Sequence, residues 1–227
     1  AESNYNNITG NLLSSIAGHG IHLASSSYNN FTTTNLSICA CSGGKSCLYF
    51  EAESNYNTFS GETIHANFTY GDCYLIELSL SDDNLFQEVN LNNGGEAYNQ
   101  TLASSSLNTR FVNMTYPNIT YSGTSSVYKS WYLTILNVTN SSGDFLDSVR
   151  IRTYDNEGVE HSRVLTNGSG YTDDAITSEF KETSSGRTNL ITTAQARKSG
   201  YIRKTINLGQ QTNNNETYFS AMQYDNV

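Results

Sequence analysis

A short word recurs along the first half of this chain and limits what it can fold into. Its copies are Ser3-Asn4-Tyr5-Asn6-Asn7-Ile8, Ser26-Ser27-Tyr28-Asn29-Asn30-Phe31, Ser54-Asn55-Tyr56-Asn57-Thr58-Phe59 and Ser81-Asp82-Asp83-Asn84-Leu85-Phe86, with a looser fifth at Ser105-Ser106-Leu107-Asn108-Thr109-Arg110-Phe111. The shared asparagines Asn6, Asn29, Asn57, Asn84 and Asn108 lie 23, 28, 27 and 24 residues apart. That period is too long for a hairpin and suits one coil of a stack, in which each repeat buries its apolar side only against its neighbours. Between the copies run short β-prone stretches: Ile21-His22-Leu23, Leu48-Tyr49-Phe50, Thr63-Ile64-His65-Ala66 and Tyr74 to Leu80. Gly and Ser clusters separate them, and none carries a helical period. The expectation is short strands paired in parallel from coil to coil. The asparagines would sit at bends with left-handed backbone and bond along a ladder. Ile8, Phe31, Phe59, Phe86 and Phe111 would stack inward.

The pattern changes at Trp131. Turn words now arrive about every ten residues: Asn140-Ser141-Ser142-Gly143, Asp155-Asn156-Glu157-Gly158, Thr166-Asn167-Gly168-Ser169-Gly170, Ser184-Ser185-Gly186 and Lys198-Ser199-Gly200. Alternating runs such as Val149-Arg150-Ile151-Arg152-Thr153-Tyr154 lie between them. This spacing predicts an antiparallel sandwich with strands near 131–138, 147–155, 159–165, 171–180, 188–197, 201–208 and 215–222. The stretch from Tyr116 to Lys129, with the single proline Pro117, reads as the join. The chain is therefore expected to be all-β, with a parallel β-helix of about five coils over 1–125 and a β-sandwich with a polar tail over 126–227. Ala1 falls just ahead of a repeat, so the helix is expected either to continue before it or to be covered there by another copy.

Composition narrows the function. The net charge is −9 with a pI near 4.8, and the first 110 residues hold only Lys45 and Arg110 as cations. That argues against nucleic acid and anionic membranes, where clustered Lys and Arg supply affinity. No stretch is apolar enough to span a bilayer as a helix. Charged residues make up 15%, and Ser, Thr, Asn and 16 Tyr carry the polarity instead, as in secreted and cell-surface proteins. Sequons stand at Asn7, Asn30, Asn35, Asn67, Asn99, Asn113, Asn118, Asn137, Asn140, Asn167 and Asn215. A chain this rich in Asn, Ser and Thr gives many by chance; several are nonetheless expected to carry glycan in an exporting cell.

The four cysteines, Cys39, Cys41, Cys47 and Cys73, read as disulfides in such a chain. A shift of 26 residues aligns Ile38 with Ile64, Ala40 with Ala66 and Cys47 with Cys73. Equal positions on adjacent coils are within disulfide reach, which favours Cys47–Cys73 and leaves Cys39 and Cys41 as a close pair. The alternative is Cys41–Cys47 with Cys39–Cys73. Zinc is the rival, but Cys39-x-Cys41 lacks the usual gap of a zinc knuckle.

Two resemblances follow from these words. The Ser-x-x-Asn-x-Phe word after Gly20-Ile21-His22-Leu23 resembles the right-handed parallel β-helix repeat of pectate-lyase-like and copper-periplasmic (NosD-like) surface proteins, over roughly residues 1–125. Trp131-Tyr132-Leu133-Thr134-Ile135, Ser142-Gly143-Asp144-Phe145-Leu146-Asp147-Ser148-Val149, Thr166-Asn167-Gly168-Ser169-Gly170-Tyr171 and Lys198-Ser199-Gly200-Tyr201 resemble the carboxypeptidase-regulatory-like, transthyretin-like sandwich. That resemblance implies an accessory module with no catalytic residues.

Parallel β-helices often act on polysaccharides, an activity that needs positioned carboxylates or a basic residue. Gly18-His19-Gly20 echoes a polygalacturonase word, but the paired aspartates of those enzymes do not precede it, and a tight bend explains it. Asp82-Asp83 occupies a bend, and His22 and His65 occupy exposed alternate strand positions. Glu51, Glu53, Glu62 and Glu77 are not fixed at the separation that glycoside hydrolysis needs. Asp155, Glu157 and Asp173-Asp174 belong to turns. Tyr5, Tyr28 and Tyr56 suit a structural ladder better than a sugar platform. The expectation is no enzyme, no metal and no cofactor beyond covalent N-glycans. The chain would be a structural or adhesive part of an extracellular, cell-surface filament, stalk or layer, self-assembling head to tail. Copies of itself, and extracellular carbohydrate, are the expected partners. The alternatives are a carbohydrate-binding module or an inactive relative of polysaccharide lyases and hydrolases.

Overall fold

The computed structural model describes residues 4–10, 12–16, 18–32, 35–39, 45–61, 63–66, 74–92, 101–220 and 222–223, with the backbone alone at 12–16, 35, 37–39, 66, 174 and 218. Among the described residues the chain is all-β, without a helix. It divides into two units, residues 1–128 with 182–187, and residues 129–181 with 188–227.

In the first unit each of the first four repeats gives one strand to each of three sheets, and the fifth gives one to the first and one to the third. The first sheet takes Asn7–Thr9, Asn30–Thr32, Thr58–Ser60, Leu85–Gln87 and Thr109–Val112 in that order. The second takes Leu12–Ile16, Asn35–Cys39, Thr63–Ala66 and Asn90–Asn92. The third takes Ile21–Ala24, Ser46–Glu51, Tyr74–Ser79, Thr101–Ser104 and Ile119–Ser122. The pairings within these sheets are parallel. Parallel pairing of equal positions puts identical side chains above one another. Ile8, Phe31, Phe59, Phe86 and Phe111 are in register. The four phenyl rings stack with centroids 4.3, 5.4 and 5.3 Å apart. Each buried ring is worth about 2–3 kcal/mol of apolar transfer, and the column shares one core with Leu48, Phe50, Ile64, Ile76 and Leu78.

Register corrects three expectations. Phe86 pairs with Phe111, so Asn84, two residues before Phe86, has Thr109 as its equivalent. Asn108 is one residue off the asparagine column. Nor do the asparagines adopt the left-handed backbone. The residue before each does: Tyr5, Tyr28, Tyr56 and Asp83 have φ of 62°, 59°, 55° and 55°, and Asn108 joins that set at 59°. Third, Ser46 pairs with Tyr74 and Leu48 with Ile76. The offset there is 28, which sets Leu75 level with Cys47; Cys73, and with it the expected Cys47–Cys73 bridge, lies outside the described residues. Leu36, not Ile38, pairs with Ile64.

The stretch expected as a join also belongs to the stack. Ile119–Ser122 pairs with Thr101–Ser104 as a fifth strand of the third sheet. The chain then enters the strand Ser126–Leu136, which passes from the first unit into the second.

In the second unit an antiparallel sheet has the order Glu160–Leu165, Arg150–Tyr154, Thr192–Arg197, Lys204–Gly209. Elsewhere Thr172–Thr183 neighbours Ser126–Leu136 on one side and Gly186–Asn189 on the other. Asn215–Tyr218 runs parallel to Leu133–Leu136, so a purely antiparallel arrangement does not hold. Leu133, Ile135, Val149, Ile151, Ala194, Ala196 and Phe219 form the core.

Three of the turn words share one construction. The side-chain oxygen of Asn140, Asp155 or Asn167 accepts the amides two and four residues on. Gly143, Gly158 and Gly170 follow at the third place with φ of 89°, 85° and 64°. Asx side chains mimic a backbone turn, and glycine takes the left-handed position without a Cβ penalty. At Gly170 a Cβ would also lie 2.5 Å from the Val138 carbonyl oxygen.

Candidate functional site

Polar side chains in the first unit are used first to hold the repeats together. Asn29 Oδ1 accepts from the amide and Nδ2 of Asn6; Asn57 Oδ1 does the same for Asn29, and Asn84 Oδ1 for Asn57. A parallel column had escaped the sequence reading. The amides of Ser26, Ser81 and Ser106 donate to Ser54, Ser106 and Ser125 Oγ of the following repeat. An outer column runs the other way: the amides of Ser27, Asn55, Asp82 and Leu107 donate to Asn4, Ser27, Asn55 and Asp82 side chains of the preceding repeat. Buried bends thus leave few unpaired amides, which water would otherwise have to satisfy. The asparagine column stops at Asn84. Asn84 Nδ2 and Thr109 Oγ1 are buried and without a hydrogen-bond partner among the described residues.

The chemical groups that face solvent gather on the third sheet. Ile21 and Leu23 alternate with His22 and Ala24, Leu48 and Phe50 with Tyr49 and Glu51, Ile76 and Leu78 with Glu77 and Ser79. Register then aligns His22, Tyr49 and Glu77 across three strands. The bend residue His19 adds its ring, with centroids 4.6 Å from Tyr49 and 5.5 Å from His22, while His22 lies 4.9 Å from Tyr49. His22 Nε2 is 2.8 Å from Glu51 Oε2 in a half-exposed pair. Ser46 ties the far side, donating its hydroxyl to Glu77 and its amide to His19 Nδ1 at 3.1 Å. An accepted amide at Nδ1 places the His19 proton on Nε2. Burial, then the nearby Lys45 and His22 charges, hold His19 below the usual histidine range. Burial, then Glu51 and Glu77, push the Tyr49 hydroxyl up.

This patch offers flat rings, a neutral imidazole and two carboxylates. Its carboxylates are drawn apart, Glu51 toward His22 and Glu77 toward Ser46, rather than aimed at a shared point as glycoside hydrolysis requires. The geometry suits stacking and hydrogen bonding to a ligand. The signal that could have found it is the apolar-polar-apolar triplet in each repeat, Ile-His-Leu, Leu-Tyr-Phe and Ile-Glu-Leu.

A second aromatic feature lies on the bends. The rings of Tyr5, Tyr28 and Tyr56 stack at 4.9 and 5.0 Å and stay exposed, Tyr5 at 75%. Asp83 follows in the same column and is the first cause of a raised Tyr56 hydroxyl pKa.

The second unit hides a third arrangement. His161 Nε2 is 3.0 Å from Asp155 Oδ2, its Nδ1 is 3.2 Å from Ser178 Oγ, and Ser178 meets Ser130 Oγ at 2.9 Å. The order Asp-His-Ser has the residue types of a hydrolase triad. The His161 and Asp155 side chains are wholly inaccessible, however, and Asp155 also closes its own turn. No substrate could reach this serine in the folded state, so the network stabilises the fold.

Of the other predicted sites, Cys47 is buried, Cys41 and Cys73 lie outside the described residues, and Cys39 is described by its backbone alone. No disulfide is seen among the described residues. The sequons at Asn67 and Asn99 lie outside the described residues, and at Asn35 the side chain does. Asn7, Asn118, Asn137, Asn167 and Asn215 are exposed, while Asn30 and Asn113 are half-buried. Asn140 is corrected: it is buried and its Nδ2 donates to Asp144, so a glycan there would displace the turn. Among the described residues no group of three or more His, Cys, Asp or Glu is set to hold a metal ion, and no helix is long and apolar enough to cross a membrane. Compared with protein-family models, curated proteins and solved structures, this chain matches none.

Proposed function

We propose that this chain is a structural, adhesive module of a secreted, glycosylated cell-surface assembly. Its first unit is read as a right-handed parallel β-helix and its second as a sandwich of the carboxypeptidase-regulatory-like kind, with copies joining head to tail. One observation carries the reading. Among the described residues Asn7–Thr9, Leu12–Ile16 and Ile21–Ala24, all from the first repeat, each stand at an edge of their sheets, where strands of preceding chain or of another copy can pair. Three edges at the same end of a parallel stack form a template for further strands. Such a contact is heterologous and extends into a filament rather than closing into a ring. The test is solution scattering across a range of concentrations, with electron microscopy of the concentrated protein. Growth in mass along one axis, suppressed by Thr9→Lys at the edge, is expected. A compact monomer at every concentration overturns the proposal.

A second reading, carbohydrate binding, is favoured by the rings of His19, His22 and Tyr49 beside Glu51 on the third sheet. Ring faces stack on sugar rings, and the carboxylate accepts hydroxyls. Glycan-array binding that Tyr49→Ala removes would support it, and an array without signal would end it.

A further inference from the structure

The antiparallel sheet of the second unit turns an arginine-rich face outward. On its second strand Ile151 and Thr153 are buried, and Arg150, Arg152 and Tyr154 alternate with them. Register extends the pattern. Leu165, Arg150 and Arg197 form one cross-strand row, and Arg163, Arg152, Gln195 and Thr205 form the next. Arg203 precedes the fourth strand, Lys204–Gly209. Strands lie about 4.8 Å apart, so Arg150 and Arg197 stand directly opposite as like charges, which disfavours an isolated sheet. Glu160 engages Arg163 at 2.9 Å and Arg152 at 3.6 Å. Arg150, Arg197 and Arg203 are exposed, and none has a carboxylate partner among the described residues.

Hollows open on this face and at its Tyr201–Lys204 edge. One of about 340 Å³ lies between Arg150, Leu165, Arg197 and Lys198. A second, of about 420 Å³, is bounded by Arg197, Tyr201, Ile202 and Arg203. A third, of about 260 Å³, takes Ile202 and Arg203 on toward Met222 and Gln223. Each shares residues with the next, so they make a run rather than one pit.

We infer that this run binds a linear, carboxylate-bearing polysaccharide. Five arginines stand in and beside the two rows, with Lys198 and Lys204 at the ends of the run, and the planar arginine forks grip carboxylates through paired hydrogen bonds. Tyr201, and Tyr154 beside Arg152, add ring faces for sugar rings. An elongated hollow accepts an extended chain better than the convex surface of a folded copy. The whole-chain charge of −9 opposes any polyanion at long range, so binding here rests on short-range paired contacts.

The test is calorimetric titration of the full chain with oligogalacturonate about ten units long, at low and moderate salt, with a neutral oligosaccharide and single-stranded DNA as comparisons. Expected is binding to oligogalacturonate that weakens with salt, with no binding of the neutral sugar and weaker binding of the DNA. Arg150→Ala and Arg197→Ala should each weaken it about fivefold, and the triple variant with Arg203→Ala about a hundredfold, because each removes one charge-assisted contact. Thermal melting should not fall, and should rise slightly where the Arg150–Arg197 like-charge pair is relieved. Arg197→Lys should keep the salt dependence but lose affinity, because a point charge replaces the fork. No binding by the wild type, equal affinity for the neutral sugar, tighter binding of DNA, or a triple variant that binds normally each overturns the inference. Loss of self-association in the triple variant would assign the face to a second copy and overturn it too. The strand-edge proposal is separable, because Thr9→Lys should leave oligogalacturonate binding intact.

Discussion

The two units bury polar groups by opposite strategies. In the first, one small solution is copied: an Asn or Ser side chain meets the backbone of the neighbouring repeat, and the next repeat does the same. In the second, Asp155, His161, Ser178 and Ser130 form a single chain of side chains used once. Copying spreads the load over many equivalent bonds. A single network concentrates it, because removing one member strands the others in a low-dielectric interior.

The largest expected effect tests that concentration. His161→Leu would leave the inaccessible Asp155 carboxylate without its imidazole, and stripping one partner from a buried pair costs about 3–5 kcal/mol. Chemical denaturation should register that loss, with hydrogen exchange quickening first around residues 150–165 and 172–180. A loss under about 1 kcal/mol would mean the network is as redundant as the ladders.

Asn57→Ala is the matching test in the first unit. Asn57 Oδ1 accepts two bonds from Asn29, and its Nδ2 donates to the Ser26 carbonyl and Asn84 Oδ1. Deleting the side chain should cost about 2–4 kcal/mol, from net bonds of about 1 kcal/mol each plus a small cavity. The loss should appear as faster exchange of the Asn29 amide, whose acceptor is gone, while the amides of the last repeat stay protected.

A gain should follow where the copying lapses. Thr109 occupies the asparagine position, and it and Asn84 each bury a polar atom without a partner among the described residues. Asparagine has nearly the volume of threonine. Thr109→Asn would supply the missing acceptor and raise stability by about 1–2 kcal/mol. Thr109→Val is the control, since it removes one orphan and not the other. If Thr109→Asn gains no more than Thr109→Val, the ladder adds nothing beyond packing.

Legibility in the sequence divides along the same line. The period and the phenylalanine column could be read because copying writes the same side chain at each turn. The turns of the second unit could be read because Asn140, Asp155 and Asn167 each act locally. What escaped depends on register across strands. A slip of one residue made Asn108 look like a rung, although Phe111 fixes Thr109 there. A shift of 26 instead of 28 put Cys47 beside Cys73. His19, Tyr49 and Glu77 meet only when three strands are aligned, and so do the rows built on Arg150 and Arg152. The Asp155–His161–Ser178 contacts join residues that have no reason to meet until the sheets pack.

Alkaline pH probes one corner of the first unit. Burial, followed by the contact with Tyr121, pushes Tyr116 far up, and burial pushes Tyr121 up to about 12. Both hydroxyls are held neutral in the folded state, so the folded chain retains protons that the unfolded chain releases above about pH 10. The contribution is complete below that pH and fades as pH climbs toward and through about 12. Tyr116→Phe, which cannot ionise, should flatten this decline when denaturation midpoints are followed from pH 9 to 12. An unchanged slope would mean that the Tyr116 hydroxyl is not held.

The smallest effect lies on the surface, at the tyrosine stack. Tyr28 lies 4.9 Å from the Tyr5 ring and 5.0 Å from that of Tyr56, but its backbone is left-handed at a φ of 59°. Ring stacking favours tyrosine by about 0.5–1.5 kcal/mol, while the conformation disfavours most residues with a Cβ, Asn and Asp excepted, by about 1–2 kcal/mol. Asparagine tolerates that backbone, and the fifth repeat already places Asn108 at the equivalent position with the same φ of 59°. Tyr28→Ala should therefore cost about 1 kcal/mol, losing the stack and keeping the strain. Tyr28→Asn should fall within about 0.5 kcal/mol of wild type, because relief of the backbone offsets the lost rings. Equal losses for both variants would mean that the rings alone decide the position. The exposed column would then owe its three tyrosines to stacking rather than to what the bend allows.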